Sequence, residues 1–273
     1  MNRKIVFFVA AAIGSFMAGA ASAEEKVVFA YIEEPPFNAT IDGKPVGSDI
    51  EVAQAVLARM GVKDVKLVKE EFPDLMPGVA AGKWTMNTGL FVTPQRCKNV
   101  AFSNPIWALV DGMIVHAGNP KHITSYASIA ASDAKLGVVK DTVEVGRAKA
   151  AGIPADRVIE FRNQDDIVAE IKKGKVDAYA ATAFGHRALL ASLKDPDLEL
   201  AQPFEPLMKD GHPVVDFGAF SFSKANGPFI ERFNAELGKF LGSKEHRAIL
   251  AKFGFSDDEI TPALTAKSED LCK

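Results

Sequence analysis

Residues 135–180 read KLGVVKDTVEVGRAKAAGIPADRVIEFRNQDDIVAEIKKGKVDAYA, in which short apolar runs alternate with amphipathic segments. The apolar runs, typical of buried strands, cover residues 135–139, 158–161 and 176–180. The segments with helical spacing, each followed by a glycine, are residues 143–151 and 165–173. Strands that alternate with helices predict an α/β architecture with largely parallel sheets.

The same alternation occurs earlier in the chain. The pattern predicts a buried strand over residues 27–31 and a helix from Ile50 to Met60. A second strand is predicted over residues 65–68, and a short helix over residues 75–81. Two α/β blocks of similar size predict two lobes.

The segments around the second block predict how the lobes are connected. Residues 108–115 are largely apolar, and residues 217–222 alternate large with small side chains. Two such crossings would place the second lobe in the middle of the sequence and return the C-terminus to the first. We therefore expect lobe 1 to comprise residues 24–114 and 216–273, and lobe 2 to comprise residues 115–215.

The N-terminus has the layout of a secretory signal peptide. Arg3 and Lys4 precede an apolar run over residues 5–20, and small residues up to Ala23 supply a cleavage site. The apolar run is shorter than the roughly 20 residues that a membrane-spanning anchor needs. We expect cleavage after Ala23, export to the periplasm, and no lipid anchor, because no cysteine follows the small residues.

The composition argues against a nucleic-acid partner. The 273 residues are 48% hydrophobic and 25% charged, with a formal net charge of −3 and no run rich in lysine or arginine. A protein that binds nucleic acid or an anionic membrane electrostatically would need an excess of basic residues. We expect neither kind of partner.

Two cysteines, Cys97 and Cys272, remain in a chain that we expect to be exported. An even pair in an oxidising compartment suggests one disulfide. Two unrelated buried thiols are the alternative.

Motifs that would indicate an enzyme are incomplete. The five histidines are scattered, with no H-E-x-x-H pair, so nothing suggests a metal site. Residues 78–83 resemble a phosphate loop but are one residue short, and Trp84 stands where serine or threonine is needed. They fit a helix C-cap better. We expect no catalytic residues, no metal and no cofactor.

Three segments near strand ends carry side chains suited to ligand binding. One brings Glu34 and Phe37 onto a proline-stiffened loop, the second begins with Phe72, and the third has Phe91 and Arg96 around a Thr-Pro turn. Ligands of open α/β sheets bind beyond the carboxyl ends of the strands, where these segments would meet. The alternative is that the three rings occupy separate core positions.

Six motifs follow one another along nearly the whole mature chain. They are EPPF (34–37), GSDIEV (47–52), FPDLMP (72–77), TPQR with FSNP (93–105), GVVKDT (137–142) and GKVDA (174–178). In order and spacing they resemble the extracellular solute-binding proteins of the polar amino-acid type, the ligand-capturing components of ABC importers.

That resemblance implies a fold, a partner and roles for particular residues. The fold is the two-lobed type II periplasmic-binding-protein fold, with a ligand cleft between lobes joined by two hinge strands. The partner is an ABC permease in the inner membrane, and we expect a monomer. Arg96 matches the arginine that grips the ligand carboxylate, Thr142 the second-lobe threonine that also contacts it, and Phe72 a ring that stacks on the ligand.

Departures from the family pattern concern the ligand. Thr182 stands where binders of α-amino acids usually place an acid for the ammonium, and a hydroxyl cannot neutralise a desolvated ammonium. Phe91 replaces a serine or threonine, which removes another polar contact. Asp141 replaces a glycine before Thr142, which makes the geometry of that loop less certain.

The set of ligand-facing residues resembles most closely the ectoine- and hydroxyectoine-binding branch. That set is Glu34, Phe37, Phe72, Phe91 and Arg96. Ectoines are zwitterions with a carboxylate and a delocalised amidinium, which aromatic faces attract by about 0.5–2 kcal/mol per good contact. Glu34 would accept from the ring N–H groups. Two alternatives stay open: a polar amino acid or derivative as ligand, and an exported enzyme like the cyclohexadienyl dehydratases, which share the architecture.

Overall fold

The computed structural model describes residues 25–273, and the expected signal peptide lies outside the described residues. The strands of the described chain are β1 (Lys26–Tyr31), β2 (Ala39–Ile41), β3 (Lys44–Val46), β4 (Asp64–Lys69), β5 (Met86–Phe91), β6 (Ala101–Phe102), β7 (Trp107–Leu109), β8 (Asp111–His116), β9 (Leu136–Val139), β10 (Val158–Phe161), β11 (Ala178–Thr182), β12 (Leu198–Leu200), β13 (Met208–Lys209), β14 (His212–Pro213) and β15 (Asp216–Phe222). Its helices are α1 (Ser48–Arg59), α2 (Phe72–Ala80), α3 (Pro94–Cys97), α4 (Tyr126–Ala130), α5 (Val143–Ala150), α6 (Gln164–Lys172), α7 (Ala183–Leu193), α8 (Gly227–Phe240), α9 (Lys244–Lys252), α10 (Asp257–Ile260) and α11 (Ser268–Leu271).

The first sheet has six strands in the order β4-β1-β5-β15-β6, with β7 paired to β15. β1 is parallel to both β4 and β5, so that Phe29 lies opposite Leu67 on one side and Met86 on the other. β15 is antiparallel to its neighbours β5, β6 and β7. We refer to this sheet and the helices packed on it as lobe 1.

The second sheet has five strands in the order β10-β9-β11-β8-β12. β9 is parallel to β10 and β11, whereas β8 is antiparallel to β11 and β12. Every residue of β9 is buried, as expected for a central parallel strand covered on both faces. This sheet and its helices form lobe 2. The α/β class predicted from the sequence is therefore confirmed.

The chain passes from the first sheet to the second between β7 and β8, with Val110 alone separating them, and returns before β15. Asp216 pairs with Leu109, so the two connecting segments run side by side. β8 and β15 are antiparallel to their neighbours because each enters directly from the other lobe, without a crossover helix. The sheets thus change at Val110, whereas the sequence analysis places the lobe boundary after residue 114. The extent of the moving units stays a prediction.

Aromatic and aliphatic side chains fill the core of lobe 1. α8 carries the apolar stripe that its sequence predicts, and it buries Phe229, Ile230, Phe233, Leu237 and Phe240. α1 packs beside it and buries Ile50, Val52, Ala53, Val56 and Leu57. Full burial of each larger side chain contributes about 1.5–3 kcal/mol, which keeps both helices on the sheet.

Four details differ from the expectation. β11 begins at Ala178 instead of residue 176, because Asp177 is held in a turn by hydrogen bonds with the backbone of Lys135 in both directions, each 2.8 Å long. α2 begins at Phe72, three residues early, because Pro73 suits the first turn of a helix. The sequence analysis also assigned no strand to β5 and no helix to α7.

The two cysteines are joined. Cys97, at the end of α3, forms a disulfide with Cys272 after α11, with a Cα–Cα distance of 5.7 Å. Both pack against the part of the lobe 1 core that contains Trp84 and Val100. The expected bridge is confirmed, and it lies entirely within lobe 1.

Candidate functional site

A cavity of about 320 Å³ lies between the two lobes. Small-molecule sites usually span roughly 300–1,000 Å³, so this one suits a compact solute. Loops at the carboxyl ends of β1, β4, β5, β9, β10 and β11 form its walls, as open α/β sheets favour. The structure brings to this cavity every ligand-facing residue named from the sequence: Glu34, Phe37, Phe72, Phe91, Arg96, Thr142 and Thr182.

Arg96 supplies a buried positive charge to the cavity. Its backbone N–H donates to the Thr93 hydroxyl, which caps the short helix α3 and fixes the direction of the side chain. Nη1 donates to the carbonyl of Phe91, and Nη2 to the carbonyl of Asp141 in lobe 2, both at 3.0 Å. Its pKa is lowered by burial, and no carboxylate forms an ion pair with it within residues 25–273. The remaining guanidinium donors suit an incoming carboxylate.

The loop before Thr142 keeps a glycine-like conformation without a glycine. Asp141 has φ of +64°, in the left-handed region. Aspartate tolerates this region better than most residues, because its short polar side chain can bond locally. The substitution that made the loop uncertain from the sequence therefore leaves the Asp141 carbonyl aimed at Arg96.

Glu34 supplies a carboxyl group that forms no ion pair with a basic side chain among residues 25–273. Its loop is closed by hydrogen bonds in both directions between the backbones of Glu34 and Asn38, 2.9 and 3.1 Å long. Burial, reinforced by the nearby carboxyl groups of Glu144 and Asp49, raises the pKa of Glu34 to about 8. A cation bound beside Glu34 would relieve this by stabilising the ionised form.

Aromatic rings surround these charges. Phe37 and Phe91 are buried, and each ring contacts Trp107, with centroids 5.2 and 5.7 Å apart respectively. The Arg96 guanidinium carbon lies 5.5 Å from the centroid of the Phe72 ring, within the range of a cation–π contact. The three rings line the same cavity, and Phe37 and Phe91 are at the same time part of the buried core of lobe 1.

The two predicted threonines both lie next to helix starts. Thr142 precedes α5, and its hydroxyl donates to the Val139 carbonyl at 2.7 Å. Thr182 caps α7 by accepting a hydrogen bond from the backbone N–H of Gly185 at 2.9 Å. The Thr142 hydroxyl can still accept hydrogen bonds, and the Thr182 hydroxyl can still donate one and accept another.

Sequence reasoning missed a second acidic residue of the cavity, Glu144. It lies in the first turn of α5 and is 4% exposed, and its burial raises its pKa. Arg147, one turn further along the helix, opposes that shift. Arg147 itself pairs with Asp111, and with Asp216 at 2.5 Å, and thus ties α5 to both connecting segments. The E-x-x-R spacing on a predicted helix was the available signal.

Two further aromatic residues, Trp107 and Tyr179, line the cavity without having been named from the sequence. Tyr179 lies on β11, is 2% exposed, and packs edge-on against His186 at 4.7 Å between ring centroids. Both occur within apolar runs, where the alternation of a strand alone does not distinguish a core side chain from a cavity wall.

The lobes contact each other around the cavity. Arg162 of lobe 2 pairs with Asp74 of lobe 1, and Gln164 Nε2 lies 3.5 Å from the carbonyl of Glu33. Phe184, in the first turn of α7, packs on Phe255 of lobe 1 with ring centroids 4.2 Å apart. The cavity is therefore bounded by groups that meet only when the lobes approach.

Residues 27–256 match the family described as bacterial extracellular solute-binding proteins, family 3. The chain belongs to this family. Its type II periplasmic-binding-protein fold and the solute-binding function expected from the sequence motifs are thereby established at the level of the family.

Individual proteins similar to this family 3 member include a curated relative and two solved structures. The "probable amino-acid ABC transporter periplasmic-binding protein y4tE" of Sinorhizobium fredii (strain NBRC 101917 / NGR234) is 30% identical, over 97% of this chain and 91% of the relative. The crystal structure of EhuB in complex with hydroxyectoine matches with a TM-score of 0.82 and 32% identity, over 90% of this chain and 94% of EhuB. An ancestral arginine-binding protein bound to arginine matches with a TM-score of 0.73 at 23% identity, over 84% and 98% of the two chains, a likeness of fold.

Two features concern metal binding and membrane insertion in this family 3 protein. Within residues 25–273, no three His, Cys, Asp or Glu side chains cluster in a way that would hold a metal ion. In that same part of the chain, no helix has the length and apolar character needed to cross a membrane. The side chains that line the cavity carry charged, hydroxyl and aromatic groups.

Proposed function

We propose that this protein is the periplasmic receptor of an ABC importer and binds a compact zwitterion with a diffuse cation, best matched by ectoine or hydroxyectoine. The observation that carries the proposal is the composition of one small cavity. It contains an arginine without an acidic partner in the described chain, a carboxyl group without a basic partner, and aromatic rings around both.

Arg96 and the start of α5 would hold the ligand carboxylate. Arg96 is buried and already oriented by two backbone carbonyls, so little side-chain entropy is lost when it binds. The backbone N–H groups at the start of α5 lie at the positive end of a helix dipole, which favours a bound anion. Thr142 directly precedes α5.

Glu34 and the rings would hold the cation. An amidinium spreads its charge over a flat surface, which suits the faces of Phe37, Phe72 and Phe91. Its N–H groups would donate to the Glu34 carboxylate. The bound cation would also offset the charge of Glu144, which raises the pKa of Glu34 and, from the first turn of α5, would otherwise oppose the ligand carboxylate.

The relatives support two ligand classes. EhuB, at 32% identity, was crystallised with hydroxyectoine, which favours the ectoine class. The y4tE protein, at 30% identity, is described as a probable amino-acid binder, which favours a polar amino acid as the second candidate. Thr182 argues for the first, because α-amino-acid binders usually place an acid there.

The transport role follows from the fold and the relatives. The signal peptide would deliver the protein to the periplasm, where it would act as a monomer, without a nucleic-acid partner, and present the loaded form to a permease in the inner membrane. We propose that lobe 1 and lobe 2, with the boundaries expected from the sequence, close on the ligand about the two connecting segments. Catalysis is not part of this proposal.

Calorimetry on the mature protein with ectoine, hydroxyectoine, arginine, glutamine and histidine tests the ligand class. We expect the two ectoines to bind most tightly. Tighter binding of any of the three amino acids would overturn the ectoine assignment and leave the second candidate. Mass spectrometry of the recovered ligand should return it unchanged, and the appearance of a product would indicate an enzyme.

Thr182→Asp provides a matched specificity control. Aspartate caps helices as well as threonine does, so α7 should keep its N-terminal hydrogen bond to Gly185. The added carboxylate restores the acid of α-amino-acid binders. We expect this variant to gain affinity for α-amino acids relative to ectoine, and an unchanged preference would remove Thr182 from the specificity argument.

A further inference from the structure

The aromatic rings of the cavity rest on a buried residue that the proposed function does not itself use, Trp107. It stands in β7, immediately before the first connecting segment, and is 4% exposed. Its indole contacts the Phe37 ring at an interplanar angle of 45° and the edge of the Phe91 ring at 77°. Phe37 lies on the loop after β1 and Phe91 is the last residue of β5, and the Trp107 ring contacts both.

The position of the indole is fixed by a charged hydrogen bond. Nε1 donates to Asp49 Oδ1 at 2.9 Å, and Asp49 is fully buried in the first turn of α1. The other carboxylate oxygen accepts from the Thr88 hydroxyl at 2.7 Å and from the backbone of Gly89 at 2.8 Å. Hydrogen bonds to a carboxylate are among the stronger ones in proteins, so the ring has little freedom to rotate.

Asp49 also holds the loop that carries Phe37. Its backbone N–H donates to the Phe37 carbonyl at 3.1 Å. Asp49 thus holds the backbone of Phe37 through its amide. Through its carboxylate it holds Trp107, which contacts both rings.

Two glycines leave the space that the indole occupies. A Cβ atom at Gly218 would lie 2.0 Å from Trp107, and one at Gly89 would lie 2.8 Å from it. Both distances are shorter than any real van der Waals contact. An alanine at either position would have to displace the indole, the strand or both.

We propose that Trp107, held by Asp49, is the positioning residue that sets the relative placement of Phe37 and Phe91 and thereby the preference for a flat cationic ring. The inference about ligand preference rests on the proposed function, whereas the inference about ring placement does not. Two routes perturb the indole: Trp107→Phe removes its N–H and part of its surface, and Gly218→Ala fills its space.

Crystal structures of the unliganded variants test ring placement without any ligand. We expect the Phe37 and Phe91 rings to shift relative to each other in Trp107→Phe, and in Gly218→Ala if that variant folds. Gly238→Ala is the matched control, since a Cβ there meets nothing within 4 Å. Phe37 and Phe91 rings that superimpose on those of the wild type in Trp107→Phe would overturn the positioning role.

Calorimetry with ectoine then tests the preference. Displacement of the Phe37 and Phe91 faces from the ligand cation should weaken ectoine binding roughly tenfold in Trp107→Phe. Trp84→Phe, which alters the other tryptophan of the chain, should stay within about twofold of the wild type, because Trp84 lies in the core away from the cavity. Equal effects of the two tryptophan variants would show a merely structural role and contradict the inference.

Two further measurements separate positioning from general loosening. Asp49 acts through Trp107. The binding free energy lost in the double variant Asp49→Asn/Trp107→Phe should therefore be well below the sum of the losses in the two single variants. In Trp84→Phe, Trp107 is the one tryptophan left, and binding of ectoine should shift the wavelength of its fluorescence. Additive losses together with a silent emission would overturn the inference. If ectoine fails to bind the wild type, the proposed function is wrong, and the crystal structures still decide ring placement.

Discussion

Arg96 of lobe 1 donates from Nη2 to the backbone carbonyl of Asp141 in lobe 2, at 3.0 Å. This contact joins the two halves of the molecule at the edge of the cavity, through a side chain that no carboxylate pairs with in the described chain. A ligand carboxylate bound to Arg96 would therefore sit at the junction of the lobes. In the proposed function, ligand capture and lobe closure would share this one residue.

Arg96→Ala should nearly abolish ligand binding. Truncating one partner of a buried charged pair costs about 2–5 kcal/mol, which corresponds to roughly 30-fold to several-thousand-fold in affinity. Arg96→Lys is the matched control. It keeps the charge but loses the planar donor pair, so its affinity should fall between the two. Calorimetry on both variants checks the prediction, and an alanine variant within about threefold of the wild type would remove Arg96 from the site.

Ligand binding should release a proton from Glu34 near pH 7. The pKa of this carboxyl is about 8 because the site is buried, and a bound amidinium would lower it. Affinity should therefore rise with pH and level off above about pH 8. Calorimetry in buffers of different ionisation enthalpy measures the protons released. Glu34→Gln should abolish the release, and a flat affinity across this pH range in the wild type would contradict the role of Glu34.

The same carboxyl predicts a pH-dependent stability of the unliganded protein. The pKa of Glu34 is raised from an ordinary 4.5, so its protonated form favours the folded state below pH 4.5, and that contribution is lost as the pH rises through about 8. Glu34→Gln, which cannot ionise, should melt at a higher temperature than the wild type above pH 8. Coincident melting curves at high pH would show that the carboxyl is well solvated.

Ligand should favour closure of the two lobes, because Arg96 and the start of α5 contact it together only when the lobes approach. Small-angle scattering should show a smaller radius of gyration with saturating ligand. Arg162→Gln serves as control. It breaks the exposed ion pair with Asp74, and such pairs contribute only about 0–1 kcal/mol, so closure should persist. Unchanged scattering and unchanged hydrogen exchange at Val110 would indicate a rigid receptor.

Reduction of the Cys97–Cys272 disulfide should lower the melting temperature with little effect on affinity. The bridge closes a loop across 175 residues of sequence, for which the chain-entropy model gives roughly 5 kcal/mol. Both cysteines lie in lobe 1, so the bridge does not restrain the connecting segments. We expect a loss of about 5–15 °C in thermal melts. The Cys97→Ser/Cys272→Ser variant should behave like the reduced protein, and a large affinity loss in both would mean that the bridge orients Arg96.

The local pattern of apolar and polar residues was sufficient to predict many of the strands and helices. The strand at Leu136–Val139 and the helix α8 are recognisable because the spacing of apolar residues in each continuous segment matches the residues that are buried. β5 was not recognised, because its Asn87-Thr88-Gly89 centre lacks the apolar alternation of a strand. Asn87 and Thr88 are buried nonetheless, because they find hydrogen-bond partners on other elements, which a local pattern does not contain.

The sequence by itself determined which segments reach the cavity, because the motifs place Glu34, Phe72, Arg96 and Thr142 just after strands, and parallel strands end at a common edge. Only the tertiary structure decided how these side chains are used. It placed Trp107 under two cavity rings, and within the described residues it gave neither Arg96 nor Glu34 a direct ion-pair partner. The physical reason is that burial, charge pairing and ring contact depend on residues far apart in the chain, brought together only when the two lobes pack.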